Sequence, residues 1–265
     1  MEYFETHAHY DDEKFKNEEN EVIEKIYKSG VTKCVNVGCS IETSEKSIEF
    51  AKEYDFMYAI CGIHPSEISD TEEQIENDTK IIEKMALNNK KIIAIGEIGL
   101  DYHYDGINIE MQKKAFISQI ELANKLKLPI AIHTRDAIDD TINIIKNYDF
   151  LNGGILHCCP FNRELVKQGL KQGLHIAFGG TCTFKSSKIT ACEIINMVPD
   201  NKILIETDSP YLSPEPVRGT RNDSSNLKYI VEKIAEFKHT TPEKIAKLTY
   251  DNAMKLFNIG GEKND

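Results

Sequence analysis

Short, mostly apolar runs alternate along this chain with segments in which apolar residues recur at helical spacing. Such runs are typical of strands buried on both faces, and their alternation with helices implies that the strands pair in parallel. Eight runs of this kind occur, at residues 4–7, 34–37, 58–61, 92–95, 130–132, 154–156, 175–178 and 203–205.

The segments between the runs predict helices. Apolar stripes with helical spacing lie at residues 22–27, 116–126 and 227–235. Gly30 predicts the end of the first of these helices, because glycine is the usual stop residue. Thr241 and Pro242 predict the cap and the first residue of a last helix, which runs to Phe257.

Eight strand and helix units are the number that closes a parallel barrel. We therefore predict an α/β fold, a single (β/α)8 TIM-type barrel with parallel strands and an extra C-terminal helix. An open doubly wound sheet uses the same alternation, but no glycine-rich phosphate turn follows the first strand. No linker divides the chain, so residues 1–260 are predicted as one domain and 261–265 as a frayed tail.

Composition narrows the class of protein. The chain has 265 residues, 40% hydrophobic, and a formal net charge of −11, which indicates a globular protein that does not coat DNA with a broad basic face. No run approaches the roughly 20 apolar residues of a bilayer helix, and no signal peptide is visible. We expect a cytoplasmic protein without a membrane partner. Of seven cysteines, Cys34, Cys39 and Cys61 are expected to be buried and unpaired.

Residue types that bind metals stand where the apolar runs stop. In a barrel, all of these positions lie on one rim, so residues far apart in sequence converge there. Residues two apart on a strand face the same side, which predicts that paired residues of this kind both point into the mouth of the barrel. The residues are His7, His9, His64, Glu97, His133, His157 and Asp208, with Glu206 two positions before Asp208.

This cluster predicts a metal centre. Four histidines and two carboxylates exceed what one tetrahedral ion uses, so we expect two ions about 3.5–4 Å apart, with Glu97 as the bridge. One ion is assigned to His7, His9 and Asp208, because the first and last strands are neighbours in a closed barrel. The other ion is assigned to His133 and His157.

Six motifs in order resemble those of the TatD-related metal-dependent deoxyribonucleases, within the amidohydrolase-like barrels. They are Thr6-His7-Ala8-His9, Gly62-Ile63-His64-Pro65, Gly96-Glu97-Ile98-Gly99-Leu100-Asp101-Tyr102, Ile132-His133-Thr134-Arg135-Asp136, Leu156-His157-Cys158 and Glu206-Thr207-Asp208-Ser209-Pro210.

The resemblance implies a hydrolase with two divalent ions that cuts phosphodiester bonds of DNA, as a 3′-5′ exonuclease preferring single strands. It implies that His7, His9, Glu97, His133, His157 and Asp208 are the metal ligands and that Glu206 acts on the same centre. Glu5 departs from the pattern, since the family often has aspartate there.

The expected reaction is attack on phosphorus by a metal-bound hydroxide, with Asp208 as both ligand and proton acceptor. We expect Asp208, Glu97 and Glu206 to be catalytic. Arg135 and Arg218 follow strands at the functional rim and suit phosphate oxygens. Tyr102 could stack on a base.

The sequence leaves two roles open for His64 and Asp101, which are support of the ligand histidines and contact with substrate. We group His64 with the substrate-binding residues. The ions could be Mg²⁺, Mn²⁺ or Zn²⁺.

Two other functions remain open at this stage. The same centre could hydrolyse an amide, a lactone or an aminoacyl-tRNA ester, although Glu97 on strand four, in place of a modified lysine, favours the nuclease. A non-catalytic metal-dependent scaffold is disfavoured, because structural sites normally close their coordination sphere. The partner is expected to be a DNA substrate. Oligomeric state is open, and a monomer is possible.

Overall fold

Eight parallel strands follow one another around a barrel in chain order, as a computed structural model describes for residues 1–260. Each predicted apolar run lies in one strand. The strands are β1 (Tyr3–Ala8), β2 (Val31–Val37), β3 (Met57–Cys61), β4 (Ile92–Asp101), β5 (Ile130–Arg135), β6 (Gly154–Leu156), β7 (His175–Phe178) and β8 (Ile203–Ile205).

Helices connect the strands and cover the outside of the barrel. The predicted stripes fall on the first, fourth and eighth of them, and Thr241 caps the ninth by accepting a hydrogen bond from the backbone N–H of Lys244. The helices are α1 (Glu19–Lys28), α2 (Ile41–Glu53), α3 (Glu72–Asn88), α4 (Ile109–Leu126), α5 (Ile138–Asn147), α6 (Arg163–Lys171), α7 (Lys188–Met197), α8 (Leu227–Phe237) and α9 (Pro242–Leu256).

The last strand returns to the first, which closes the barrel. Ala8 and Ser209 form a parallel bridge, and the His9 backbone N–H donates to the Ser209 carbonyl at 2.7 Å. One step away, the Asp208 N–H donates to the His7 carbonyl at 3.0 Å. The barrel prediction is confirmed and the open sheet is excluded. Closure brings the chain around residue 208 beside the chain around residue 7.

Apolar side chains fill the barrel interior, and α9 packs against them. Ala253 and Phe257 join a buried cluster that includes Ile60 and Ala94 of the inner strands. Phe4 of β1 stacks on Phe257, with ring centroids 5.7 Å apart. The extra C-terminal helix is therefore part of the core, and the polar residues of the barrel are left to its opposite, carboxyl-terminal end.

Other expectations from composition can be compared with the structure. All seven cysteines are free. Within residues 1–260, no helix has the length and apolar character that a bilayer crossing requires. The predicted tail at 261–265 lies outside the described residues.

His175 gives the stability of the barrel a pH dependence that is separate from the polar end. It begins β7, is 8% exposed, and its Nδ1 has no hydrogen-bond partner among the described residues. Burial, reinforced by the charges of Lys202 and Lys255, lowers the pKa of His175 to about 4. The unfolded chain, with an ordinary histidine pKa near 6.5, therefore binds more protons than the folded chain between about pH 4 and 6.5.

We predict that the His175→Gln variant loses less stability in acid than the native chain. Between pH 7 and 4 the unfolding free energy of the native chain should fall relative to that of the variant by about 2 kcal/mol, because glutamine takes up no proton. Urea unfolding at a series of pH values measures this difference. His239 is exposed, so His239→Gln should follow the native profile; parallel curves for native and H175Q chains would contradict the prediction.

Candidate metal centre

A cavity of about 1370 Å³ opens at the carboxyl-terminal end of the barrel. Its floor carries polar residues from strands or strand ends that are up to 200 residues apart in sequence. Backbone hydrogen bonds of the parallel strands fix these positions, so the cluster depends on the fold and not on local sequence. The residues of the cluster that line the cavity are His9, His64, Glu97, His133, His157 and Asp208.

Glu97 lies at the centre of this cluster, and its Oε2 faces the seam between the first and last strands. The Nε2 atoms of His7 and His9 lie 3.4 and 3.8 Å from Oε2. Asp208 Oδ1 lies 3.5 Å from His9 Nε2 and completes this group.

The other carboxylate oxygen of Glu97 faces the fifth and sixth strands. His133 Nδ1 lies 2.8 Å from Oε1, and His157 Nε2 lies 3.3 Å from it. The two oxygens of one buried side chain thus face two separate groups of histidines. This is the arrangement that a carboxylate bridging two ions requires.

The spacing of these atoms fits a cation between His7 and His9. Two atoms that bind one ion at about 2.0–2.1 Å in tetrahedral geometry are about 3.3 Å apart. The Nε2 atoms of His7 and His9 are 3.2 Å apart. When neither Nε2 carries a proton, two lone pairs face each other, and a cation between them removes that repulsion. The residues present therefore fit divalent ions.

Polar contacts on the far side of the histidine rings orient the ligand nitrogens. His9 Nδ1 lies 2.8 Å from the Val37 carbonyl, which can only accept, so Nδ1 carries the proton and Nε2 keeps its lone pair. Asp101 Oδ2 lies 3.2 Å from His133 Nε2. Glu206 Oε1 lies 3.0 Å from His157 Nδ1, a charge contact without hydrogen-bond geometry. Carboxylates in this position fix the ring and increase its basicity as a ligand.

The charges of the acids suit metal binding. Burial alone would raise the pKa of Glu97, but His157, His64 and His7 around it lower that pKa well below its ordinary value. Burial likewise opposes ionisation of Asp208, but His9, His157 and His7 together more than offset it, so the pKa of Asp208 is lowered. Both groups are therefore carboxylates at neutral pH, ready to bind a cation.

Glu206 occupies a different place from Asp208. Its side chain is fully buried, and besides lying against His157 it accepts a hydrogen bond of 2.7 Å from the backbone N–H of Cys158. The sequence pattern predicts that both acids face the mouth, whereas in the structure Glu206 lies behind a ligand histidine.

Glu5 supports the seam in a way that the pattern of strand ends does not reveal. It is fully buried where the register of β1 and β2 shifts. Its carboxylate accepts from the backbone N–H groups of His7 and Thr207 and from the Thr207 hydroxyl, at 3.1, 2.9 and 2.6 Å. Burial raises the pKa of Glu5 to about 7, although these bonds oppose that shift. Only its departure from the family pattern marks the position in the sequence.

Gly99 allows the fourth and fifth strands to meet at His133. Its φ of +147° is one that other residues rarely adopt, and a Cβ at this position would lie 2.0 Å from the His133 carbonyl oxygen. The glycine therefore sets how closely His133 approaches Glu97.

Cys39 was expected to lie in the apolar core, but it lies at the polar end of the barrel. It is partly exposed in the cavity, and its Sγ lies 3.7 Å from Glu97 Oε2 and 3.9 Å from His9 Nδ1. The residue follows the last apolar position of β2, where the chain has already reached the polar end of the barrel. The other two, Cys34 and Cys61, are buried as expected.

Some of the predicted substrate-binding residues line the cavity and one does not. Arg135 and Tyr102 line the cavity, and the Tyr102 hydroxyl donates to Asp140 at 2.8 Å. Arg218 is exposed against the ring of Phe184, 4.2 Å from its centroid, and is not among the described residues that line the cavity. Its position on a loop after a strand did not indicate that Arg218 lies outside the cavity lining.

Known proteins resemble the chain over nearly its whole length. Residues 4–258 match the family described as TatD related DNase. The uncharacterized metal-dependent hydrolase YabD of Bacillus subtilis (strain 168) is 41% identical over 257 residues, which are 97% of this chain and 99% of the relative. The 3′-5′ ssDNA/RNA exonuclease TatD of Citrobacter rodentium (strain ICC168) is 31% identical over 251 residues, 92% of this chain and 94% of that one.

The barrel also resembles solved structures. The crystal structure of YjjV, a TatD homologue from Escherichia coli K12, has a TM-score of 0.89 with this chain at 24% identity, and the match covers 97% of this chain and 98% of that one. At this level of identity the likeness shows a shared fold.

The cluster predicts that divalent ions stabilise the fold. At a hundred times its dissociation constant, a bound ion adds about 2.7 kcal/mol to the unfolding free energy, which raises Tm by several degrees in a chain of this size. Titration of chelated protein with Mn²⁺ or Zn²⁺ in a thermal-shift assay should show this rise, and Glu97→Gln should remove most of it. Glu164→Gln, an exposed control on α6, should leave it unchanged. An equal rise in E97Q would contradict the role of Glu97.

Proposed function

The chain belongs to the family of TatD-related DNases, which are metal-dependent hydrolases, and from that premise we propose that it is a deoxyribonuclease. It hydrolyses phosphodiester bonds of DNA, from the 3′ end of single strands, with two divalent ions. The observation that carries the proposal is Glu97, whose two oxygens face two groups of histidines in one open cavity. The name of the Citrobacter relative supports the polarity and the single-stranded substrate.

Six residues would hold the ions. His7, His9 and Asp208 would bind one, His133 and His157 the other, and Glu97 both. When bound, the two ions supply a nucleophile at neutral pH, a fixed orientation for the phosphate and a counter-charge for the leaving oxygen. The ions could be Mg²⁺, Mn²⁺ or Zn²⁺, since imidazole and carboxylate ligands together are compatible with each.

Asp208 is placed to accept the proton of the attacking water. Its side chain reaches the cavity and is 15% exposed, while its backbone N–H is held by the His7 carbonyl. The lowered pKa keeps it ionised at neutral pH. Glu206 and Asp101 act as positioning residues, because each lies against a ligand histidine, and Glu206 is not among the described residues that line the cavity.

His64 is proposed to donate a hydrogen bond to the substrate. The backbone N–H of Ser66 donates to His64 Nδ1 at 3.1 Å, so Nδ1 carries no proton and the neutral ring has its proton on Nε2. Burial lowers the pKa of His64 to about 4, which keeps the ring neutral at pH 7. Its Nε2 lies 3.8 Å from Glu97 Oε1. An Nε2–H group there suits a non-bridging phosphate oxygen and does not suit a metal.

The substrate side of the cavity would use Arg135 and Tyr102. Arg135 offers a guanidinium to phosphate. Tyr102 is fixed by its bond to Asp140 and forms a wall of the cavity rather than a freely moving platform. Arg218 is not assigned to substrate, since it lies against Phe184.

Digestion of labelled oligonucleotides tests the proposed activity. With Mn²⁺, Mg²⁺ or Zn²⁺, the protein should release labelled mononucleotide at once from 3′-labelled single-stranded DNA and shorten 5′-labelled DNA stepwise. Chelation should stop both reactions. Asp208→Asn should lower kcat at least about 100-fold by removing the proton acceptor. Asparagine tolerates the left-handed φ of +57° at this position, so the fold should be kept.

Parallel digestions of duplex DNA and RNA measure the preference for single-stranded DNA. Hydrolysis of a lactone, an amide or an aminoacyl-tRNA ester without loss of DNA would overturn the proposal, as would undiminished turnover in D208N.

Two substitutions of His64 separate its two nitrogens. Asparagine can replace Nδ1 as acceptor from Ser66 but offers nothing at Nε2, whereas glutamine can place an N–H near Nε2. We predict that His64→Asn lowers kcat/KM on DNA about 10- to 100-fold, the loss typical of one hydrogen bond to a charged group, and that His64→Gln loses clearly less. Both should keep the metal-induced rise in Tm. Loss of that rise in H64N would identify His64 as a ligand and contradict the assignment.

A further inference from the structure

Among the described residues, Arg135 is a positive charge without an ion-pair partner, on a part of the cavity wall that also carries three aspartates. It is exposed at the end of β5 and lines the same cavity as Glu97 and His133. Its neighbours along this wall are Asp136, Asp139 and Asp140. Three carboxylates beside one guanidinium would ordinarily neutralise it by direct pairing.

Two of these carboxylates have other partners. Asp136, with a left-handed φ of +53°, lies 2.8 Å from His103 Nδ1. Asp140 lies 2.9 Å from Lys113 Nζ and accepts from the Tyr102 hydroxyl.

Arg135 is left with an aromatic contact. Within residues 1–260 it forms no ion pair, and its guanidinium carbon lies 5.7 Å from the centroid of the Tyr104 ring. The Tyr104 side chain belongs to a residue that is 56% exposed, and its ring meets the edge of His103 at a centroid distance of 5.2 Å. A cation next to an exposed aromatic ring matches the phosphate and the base of one nucleotide.

We propose that Arg135 and Tyr104 form an outer subsite for the nucleotide next to the one that is released. Arg135 binds the phosphate on the 5′ side of the scissile phosphodiester, and Tyr104 stacks on the adjoining base. His103 serves the subsite indirectly by holding Asp136 away from Arg135. The inference rests on the proposed nuclease function and adds the part of the substrate that the cavity recognises beyond the cut.

The charges also limit the length of substrate that is recognised. Asp139 is exposed and has no ion-pair partner in the part of the chain that the structure describes. A third phosphate near this side chain would be repelled. The cavity should therefore favour a substrate with two phosphates over one that has only the scissile phosphate. A third phosphate should add little to recognition.

Short thymidine substrates isolate the second phosphate. TpT contains only the scissile phosphodiester, and pTpT adds one phosphate on its 5′ side. For the native protein, kcat/KM should be at least about tenfold higher for pTpT than for TpT, and pTpTpT should be within about threefold of pTpT. In Arg135→Gln the ratio of pTpT to TpT should fall below about three, because the charged hydrogen bonds to the added phosphate are lost.

Control variants separate the subsite from general surface charge. Arg163→Gln removes an arginine that lies 3.6 Å from Glu193, outside the residues that line the cavity, and should keep the native ratio. Tyr104→Ala should lower kcat/KM on pTpT more than Tyr104→Phe, which keeps the ring.

A native ratio near one, or the same ratio in R135Q as in the native protein, would overturn the outer subsite. Failure of the native protein to cleave TpT, pTpT and pTpTpT alike, with every divalent ion, would instead overturn the nuclease function on which the subsite rests.

Discussion

The polar end of this barrel depends on one buried carboxylate shared between two groups of histidines. A carboxylate as deeply buried as Glu97 is unfavourable unless positive charge or donors surround it. Here His7, His133 and His157 from three strand ends, together with His64, lower its pKa, and with His9 they surround both oxygens. Cations can occupy the places where these ring nitrogens converge. Every other feature of the centre serves to keep this arrangement in register.

Closure of the barrel is the structural condition for that register. His7 and Asp208 are 201 residues apart, yet a hydrogen bond joins their backbones. Glu5 reinforces the same seam from a position where the strand register shifts. On the other side of Glu97, Gly99 lets the fourth strand approach the fifth at His133. The contacts between the first and last strands thus set the distance from Glu97 to His7 and His9, and Gly99 sets its distance to His133. A bridging carboxylate must satisfy both distances together.

Much of this could be predicted from the sequence, for reasons that particular residues make clear. The runs at 154–156, 175–178 and 203–205 match β6, β7 and β8 to the residue, because only buried parallel strands need such unbroken apolar segments. The run at 92–95 falls short of β4, which continues to Asp101. Residues 98–101 pair with β5, so this segment remains strand although it contains Gly99 and Asp101.

At the site, strand-end position predicts which residues meet but not which atom of each faces the others. The buried place of Glu206, the outward direction of Arg218 and the pairing of Asp136 with His103 are set by packing between distant segments, and local pattern contains no record of them.

The most direct test is anomalous diffraction from crystals loaded with Mn²⁺ or Zn²⁺. The account predicts two peaks about 3.5–4 Å apart, one contacting His7, His9 and Asp208 and the other contacting His133 and His157, with one Glu97 oxygen on each. A single peak, or two peaks with no Glu97 oxygen between them, would contradict it.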